Sequence, residues 1–269
     1  MEYALTFRKM PTFFAKPVKY LLRADEDFIQ VNRLIGKELK LTFLNQKFCG
    51  GCGNSFSALF RMGFCRECFF TRPEAGESII RPELSRAHEG IEDRDLAFEK
   101  AYQLQPHVVY LANSAGLKVG VTRAGQKLQR WMDQGASAAI VFAETANRFQ
   151  AGQIEVLLKN FIADKTPWQR MLKNEVPDLD LKQEKAHLAG HLEGEWSKML
   201  SADEQVYHFE YPVSQYPAKV KSLNFDKQPE ITATLQGIKG QYLIFQGGLA
   251  LNVRGHSGYR VKLSFVGNS

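Results

Sequence analysis

The stretch CGGCGNSFSALFRMGFCREC, residues 49–68, contains all four cysteines of the 269-residue chain. They form two Cys-x-x-Cys pairs, Cys49 with Cys52 and Cys65 with Cys68, with twelve residues between the pairs. Each pair can close a tight turn, and four convergent thiolates satisfy tetrahedral Zn(II) at about 2.3 Å. We therefore expect one structural zinc ion, with no coordination position left for a substrate.

The residues around the cysteines favour a zinc ribbon over a redox dithiol. Gly50, Gly51 and Gly53 follow the first cysteine, and we expect positive φ angles in the turns that they form. A redox dithiol needs only one pair and usually accompanies a βαβ pattern, which the flanking sequence lacks. Free thiols at this spacing are typical of a reducing compartment.

Strand patterns flank the cysteines at both ends of the chain. YALTF, VKYLL, FIQV and KELKLTF lie in residues 1–46, and ITATL, GQYLIF, LALNV and YRVKLSF follow in residues 231–265. The formal net charge is +6, and nine basic against five acidic side chains in residues 1–48 and seven against three in residues 205–269 make both ends basic. We expect a small barrel or two small β modules, and the charge weakly favours a polyanionic partner.

The apolar segments indicate no membrane partner. Lys, Arg and Pro interrupt the apolar side chains of residues 1–24, which therefore do not resemble a secretion signal. No apolar run approaches the roughly 20 residues that span a bilayer. We expect a cytoplasmic protein.

The central segment predicts an antiparallel sheet packed against helices. HVVYLA and LKVGVT alternate as strands do, and a loop at residues 113–115 would pair Leu111 with Leu117. This register would place Tyr110 beside Lys118. Helices are predicted around GQKLQRWMDQ and AGQIEVLLKNFIA, which carry apolar stripes at helical spacing.

The order of these central elements resembles the core of the GIY-YIG nucleases. VVY at residues 108–110 resembles the first family motif, and KVG at residues 118–120 resembles the second, with Lys118 in place of the second motif's Tyr. The resemblance covers about 65 residues. It implies an antiparallel core and a metal-dependent endonuclease.

The resemblance also implies roles for individual residues. Tyr110 would orient or deprotonate a water, and Glu155 would hold Mg(II) or Mn(II) against a phosphodiester. Arg130, with Arg123 as the second choice, would neutralise the phosphate, and Lys118 would act as a base or contact phosphate directly. The family's Asn has two candidates, Asn160 and Asn174.

Most of the chain resembles a bacterial and archaeal family catalogued only as a domain of unknown function. The stretches that carry this resemblance are the two Cys pairs, RPELSRAHEG, RDLAFE, PHVVYLA, LKVGVTR, RWMDQGA, DKTPW and GIKGQYLIF. The resemblance implies no activity.

Together these patterns predict an α+β protein with six segments. One of these segments, the helical connector, includes a continuous helix over about residues 182–204. The segments are a basic β-rich segment (1–46), a zinc ribbon (47–72), an acidic linker and helix (73–105), a GIY-YIG-like α+β core (106–175), a helical connector (176–204) and a basic β-rich, small-barrel-like C-terminal module (205–269).

Cations and aromatic residues alternate in the C-terminal segment. Aromatic rings stack on bases and cations contact phosphates, so this composition suits single strands or structured RNA. An aromatic core with a charged exterior explains the composition equally well. The residues predicted to contact DNA or RNA are Arg123, Lys127, Lys239, Arg254, Arg260 and Lys262.

Three functions stay open at this point. The protein is a metal-dependent phosphodiesterase, a zinc protein that binds DNA or RNA without cleaving it, or a catalytically inactive zinc-stabilised scaffold for a protein partner. Glu155 and Lys159 also form an i,i+4 pair that is typical of a helix surface. Of these functions, we rank nucleic-acid binding first, with cleavage as an additional activity of the same protein.

Overall fold

A computed structural model describes residues 1–25, 27–162 and 168–265. Within them the helices are α1 (Arg66–Thr71), α2 (Glu77–Ile80), α3 (Leu96–Gln103), α4 (Lys127–Asp133), α5 (Arg148–Lys159), α6 (Trp168–Leu172) and α7 (Leu181–Ala189). Short 3-10 helices cover Val31–Leu34, Pro73–Ala75, Pro82–Leu84, Ala87–Glu89, Ala124–Gln126, Ser197–Met199, Gln246–Gly248 and Arg254–His256. Residues 164–167 of the DKTPW stretch lie outside the described residues.

The strands of the described residues are numbered in chain order. They are β1 (Glu2–Thr6), β2 (Thr12–Phe13), β3 (Lys19–Arg23), β4 (Phe28–Gln30), β5 (Glu38–Phe48), β6 (Ser55–Phe56), β7 (His107–Asn113), β8 (Leu117–Arg123), β9 (Ala138–Thr145), β10 (Tyr207–His208), β11 (Lys221–Leu223), β12 (Glu230–Lys239), β13 (Tyr242–Phe245), β14 (Leu249–Asn252) and β15 (Tyr259–Phe265). The chain is therefore a mixed α+β protein, as predicted. In this described part, no helix has the length and apolar character needed to cross a membrane.

The chain divides into two compact units. Unit 1 comprises Met1–Phe70, Leu172–Asn174 and Glu210–Ser269, and unit 2 comprises Thr71–Met171 and Glu175–Phe209. Each unit has its own sheets and its own buried residues.

Unit 1 joins both ends of the chain in one sheet. Within the described residues its strands follow the order β1-β15-β5-β12-β13-β14-β11, and β6 pairs with β5. β11 and β14 are parallel, whereas the other neighbours are antiparallel. The strand patterns predicted at the two ends are confirmed. β1 and β5 of the N-terminal end share this sheet with the C-terminal strands, so the two ends do not form separate modules.

The core of unit 1 follows from the alternation of its strands. Leu39 and Leu41 of β5 point inward, and Val261 and Leu263 of β15 are equally buried beside them. The Phe225 ring lies 6.0 Å from the rings of both Phe7 and Phe43. β2, β3 and β4 form a second, smaller antiparallel sheet.

Unit 2 contains an antiparallel sheet in the order β10-β9-β7-β8. Every residue of β7 is buried, because this strand is central and covered on both faces. Ile154 and Leu158 of α5 and Leu188 of α7 belong to the apolar cluster that includes Val109 of β7. Tyr110, the next residue, packs edge-on against Trp131 of α4, with ring centroids 5.8 Å apart.

The β7–β8 pairing differs from the predicted register by two residues. Leu111 pairs with Val119 and Asn113 with Leu117, so the three-residue turn covers residues 114–116 and lies one residue later than predicted. Ala115 and Gly116 have φ angles of 129° and 141°, which allow this tight reversal. Because a shift of two preserves the faces, the apolar side chains stay together, but Tyr110 faces Gly120 instead of Lys118.

The helix predicted over residues 182–204 is too long. α7 ends at Ala189, and Gly194 has a φ angle of 58°, which a right-handed helix cannot contain. A 3-10 helix at Ser197–Met199 follows. α5 begins at Arg148, earlier than its apolar stripe indicates, because the Asn147 side chain accepts a hydrogen bond from the Gln150 amide.

Candidate functional site

The four cysteines converge in unit 1. Cys49 follows β5, and Cys68 lies in α1, three residues after Cys65. Their sulfurs all lie within 4.8 Å of one another. A tetrahedral Zn–S distance of about 2.3 Å requires sulfurs roughly 3.8 Å apart, so this arrangement can hold a metal such as zinc.

Backbone amides favour thiolates at this cluster. The Gly51 and Cys65 amides point at Cys49 Sγ at 3.3 and 3.2 Å, and the Cys68 amide points at Cys65 Sγ at 3.4 Å. Burial opposes ionisation of Cys49, but the amides outweigh it and lower its pKa to about 6. Burial and the neighbouring sulfurs raise the pKa of Cys68 to about 12. A cation bound among the sulfurs would favour the thiolate forms of its ligands.

The glycines of the ribbon serve two different purposes. Gly53 has a φ of 75°, as predicted, whereas Gly50 and Gly51 do not have positive φ angles. Gly51 is needed for space, because an added Cβ would lie 3.0 Å from Cys68 Sγ. The predicted positive φ at Gly50 and Gly51 is therefore wrong. Phe56, Leu59 and Phe64 pack against the cysteines.

Tyr110 is the most deeply enclosed of the predicted catalytic residues. Its side chain lies over Gly120, and a Cβ added to Gly120 would lie 2.5 Å from the Tyr110 hydroxyl oxygen. The hydroxyl donates to Gln134 Oε1 at 2.9 Å. Burial raises the pKa of Tyr110, and the adjacent Arg130 guanidinium opposes that shift. Tyr110 is therefore a neutral hydrogen-bond donor at neutral pH, unsuited to deprotonate a water.

Glu155 of α5 is a buried carboxylate with one unsatisfied oxygen. The residue is 8% exposed, and its Oε1 lies 3.5 Å from Lys159 Nζ. Its Oε2 is buried and has no hydrogen-bond partner in the described structure. Burial raises the pKa of Glu155 most, and the nearby Lys159 charge opposes the shift. An orphaned carboxylate oxygen of this kind is costly unless a further group binds it.

Three of the four predicted catalytic residues come together, although they belong to β7, α4 and α5. The charges of Arg130 and Glu155 both reach the Tyr110 hydroxyl and affect its pKa. Lys118 is half-buried and pairs with Ala112. It precedes Gly120 by two residues in β8, so the two residues lie on the same face of the strand. Asn174 belongs to unit 1, where it accepts from Lys239, and Asn160 is exposed at the end of α5.

Two charged residues beside Glu155 were missed by the sequence reasoning. Arg148 is 5% exposed, donates to the Ser78 and Ile79 carbonyls, and its charge lowers the pKa of Glu155. Glu83 belongs to the RPELSRAHEG stretch, and its charge raises the pKa of Glu155. Gly152 inside an otherwise amphipathic helix was the available clue, because such a glycine often marks a close backbone approach.

The predicted nucleic-acid contacts in unit 2 are half-buried and lie against aromatic rings. The Arg123 guanidinium is 4.7 Å from the Tyr102 ring centroid and donates to Gln126 Oε1 at 2.6 Å. Lys127 Nζ is 5.4 Å from the Tyr207 ring centroid. These side chains combine a cation with an aromatic face.

The predicted contacts in unit 1 differ in accessibility. Arg254 is exposed, whereas Arg260 binds Asp25 through both terminal nitrogens and Lys262 Nζ lies 3.3 Å from a Glu2 carboxylate oxygen. Lys239 is 0% exposed. Its burial prevents a phosphate contact in this conformation, because β12 is covered on both faces at this end.

Comparison with known proteins gives one result. No curated protein and no solved structure matches the chain. A family model described as "Protein of unknown function (DUF2797)" matches residues 36–261, which are 226 of the 269 residues. The match includes the four cysteines and the residues around Glu155. The chain therefore belongs to the DUF2797 family.

Proposed function

We propose that this protein binds nucleic acid through a GIY-YIG nuclease-like core in unit 2 and cleaves a phosphodiester bond with a divalent cation at Glu155. The observation that carries this proposal is the convergence of Tyr110, Arg130 and Glu155 from three separate elements. The charges of Arg130 and Glu155 both act on the pKa of the buried Tyr110 hydroxyl. Perturbed titratable groups of this kind cluster at functional sites.

The residues around Glu155 fit a Mg²⁺ or Mn²⁺ ion. The buried Oε2 without a hydrogen-bond partner provides a hard oxygen ligand. Magnesium sites often use one or two carboxylates and leave other positions to water and substrate phosphates. When bound, such an ion supplies charge stabilisation at a phosphoryl oxygen.

Tyr110, Arg130 and Lys118 are assigned different roles at the site. Tyr110 is fully enclosed, so we assign it a positioning role, in which its hydroxyl orders Gln134 and Arg130. The half-buried Arg130 guanidinium provides positive charge for a phosphate. Lys118 contributes a second half-buried cation on the same strand face as Gly120.

Substrate binding is supported by the cations of unit 2. Arg123 and Lys127 each pair a positive charge with an aromatic ring, which suits a phosphate beside a stacked base. Arg254 offers an exposed cation in unit 1, whereas Arg260 and Lys262 already pair with carboxylates. We therefore place the principal contact in unit 2. The zinc ribbon keeps a structural role, suited to the reducing cytoplasm.

The experiment uses the zinc-loaded full chain with labelled single-stranded and double-stranded DNA and RNA, in Mg²⁺ or Mn²⁺. We expect cleavage of at least one substrate class and a loss of at least about 100-fold in Glu155→Gln, because several kcal/mol of charge stabilisation disappears. Glu193→Gln, which changes an exposed carboxylate of unit 2, is the matched control. Cleavage absent from the wild type, or equal in Glu155→Gln, contradicts the nuclease proposal.

Binding is measured separately from cleavage. Fluorescence anisotropy without divalent cations at about 50 and 200 mM salt should show an affinity that falls steeply with salt, because bound cations release counterions from phosphates. Absence of binding at the lower salt concentration excludes nucleic acid as the partner.

A zinc-stabilised protein-interaction scaffold is the second candidate. Phe60, Met62 and Phe70 are 46%, 45% and 55% exposed around the cysteine ribbon, and exposed apolar groups of this size favour protein contacts. This function is favoured if the anisotropy experiment finds no binding to DNA or RNA.

A further inference from the structure

We propose that Glu83, which lies outside the central sheet, supplies a second carboxylate to the divalent cation at Glu155. This inference rests on the proposed function and deepens it by extending the site to the segment Pro82–Leu84. Nothing in the GIY-YIG-like motifs assigns a role to that segment.

Backbone packing positions Glu83 beside α5. A Cβ added to Gly152 would overlap the Glu83 amide and lie only 2.7 Å from Glu83 Cα. The 3-10 turn and the helix are therefore in direct backbone contact. Gly152 permits an approach that any larger residue would block.

The geometry of α5 directs Glu155 toward the same place. Glu155 is three residues after Gly152, so the two share one face of the helix. Helical side chains also lean toward the N-terminus and cover the preceding turn. The Glu155 carboxylate therefore extends over the turn that contacts Glu83.

The two carboxylates have incomplete partners. Arg81 Nε donates to Glu83 Oε1 at 3.1 Å, which leaves the second oxygen for another ligand. Glu155 Oε2 has no hydrogen-bond partner among the described residues, and Lys159 reaches only Oε1. The Glu83 side chain is 18% exposed, so little water screens it from Glu155.

The electrostatics agree with this arrangement. Burial is the main cause of the raised pKa of Glu155; the charge of Glu83 adds to it, whereas Lys159 and Arg148 oppose it. Two largely buried carboxylates favour a hard divalent cation, which binds oxygen ligands and neutralises both charges. Lys159 is 40% exposed and can turn toward solvent when the cation binds.

The test measures Mn²⁺ binding to the zinc-loaded full chain, without nucleic acid, from the electron paramagnetic resonance signal of free Mn²⁺. Mn²⁺ binds protein sites more weakly than zinc does and will not displace zinc from four thiolates. The variants are Glu83→Gln, Glu155→Gln and Glu77→Gln. Glu77 is the matched control, because it also pairs with Arg81, at 3.2 Å, but its side chain is 66% exposed.

We expect one Mn²⁺ site in the wild type and in Glu77→Gln, and affinity weakened at least about tenfold in both Glu83→Gln and Glu155→Gln. Melting temperatures close to that of the wild type would show that the near-isosteric variants remain folded. Loss in Glu155→Gln with unchanged affinity in Glu83→Gln overturns this inference but leaves the cation at Glu155. Unchanged affinity in both variants, or no binding by the wild type, overturns the cation assignment as well.

Discussion

Lys239 of β12 is a cation enclosed by aromatic rings. Its Nζ donates to Asn174 Oδ1 at 2.7 Å and lies 5.3 and 5.5 Å from the ring centroids of Tyr211 and Tyr216. Among the described residues no carboxylate offsets the effect of burial, which lowers the pKa of Lys239 to about 8. Because an unfolded lysine titrates near 10.4, burying this charge opposes folding at neutral pH.

The pKa of Lys239 predicts a pH-dependent stability. Between about pH 8 and pH 10 the folded lysine releases its proton while the unfolded lysine retains it, so this residue makes the free energy of unfolding rise with pH. Lys239→Met removes that rise. Urea unfolding measures the free energy of unfolding of the wild type minus that of the variant. We expect this difference to increase by about 2 kcal/mol from pH 7 to pH 9.5.

A control variant separates this effect from the general response to pH. Lys221→Met changes an exposed lysine of unit 1, and its difference from the wild type should stay constant over the same range. A pH-independent difference for Lys239→Met would contradict the assignment of a buried ammonium to this position.

The sequence could not reveal the burial of Lys239. Strand alternation after Ile238 predicts that Lys239 points to solvent, yet both residues are 0% exposed. The two tyrosines that enclose the ammonium come from residues more than twenty positions earlier in the chain. A local pattern contains no information about which distant segment covers a strand.

At the scale of elements, α5 depends on its contact with the Pro82–Leu84 turn. Gly152 would normally weaken a helix, because glycine is about 1 kcal/mol less favourable than alanine in a helix interior. Here the backbone of Pro82 and Glu83 occupies the space that a Cβ would need. Packing between the elements therefore overrides helix propensity.

Gly152→Ala should destabilise unit 2 despite its better helix propensity. We expect a loss of about 1–3 kcal/mol, because the added methyl must displace backbone atoms. Urea unfolding followed by tryptophan fluorescence measures it selectively, since Trp131, Trp168 and Trp196 all lie in unit 2. An unchanged or increased stability would contradict the close packing.

The matched control is Gly190→Ala at the end of α7. Gly190 has a φ of −62°, and its added Cβ would meet only the His187 carbonyl oxygen at an ordinary 3.4 Å. Its effect should stay within about 0.5 kcal/mol.

Most strands could be predicted, but several element boundaries could not. Alternation identified β5 and β15, because each has one face toward a core. The β7–β8 register depended on φ angles at Ala115 and Gly116 that composition does not specify. The helix predicted over residues 182–204 continued an apolar spacing through Gly194, but α7 already ends at Ala189 and the φ angle of 58° at Gly194 does not fit a right-handed helix.

At the scale of the whole molecule, contacts between distant residues determine what sequence patterns leave open. β1 and β15 pair although they lie at opposite ends of the chain. The cysteine ligands were predictable, because four identical side chains at fixed spacing specify one chemistry. The grouping of Tyr110, Arg130 and Glu155 followed from a family resemblance, and Glu83 became apparent only from the packing at Gly152.

The cysteine ribbon connects distant parts of unit 1. The Phe48 amide, just before Cys49, donates to the Gly258 carbonyl at 2.7 Å, and an added Cβ at Gly63 would lie 3.0 Å from Ser257 Cβ. The ribbon therefore packs against the turn that precedes β15. Because the unfolded chain has no preformed site, a metal such as zinc bound by the four cysteines would contribute directly to the folding of this unit.

Zinc K-edge X-ray absorption on the purified full chain, with metal content measured on the same sample, tests the central claim that the four cysteines form one structural zinc site. We predict one zinc per chain with four sulfur neighbours at about 2.3 Å. A chain without metal and with its cysteines joined as disulfides, or a zinc shell that contains nitrogen or oxygen ligands, would contradict the account.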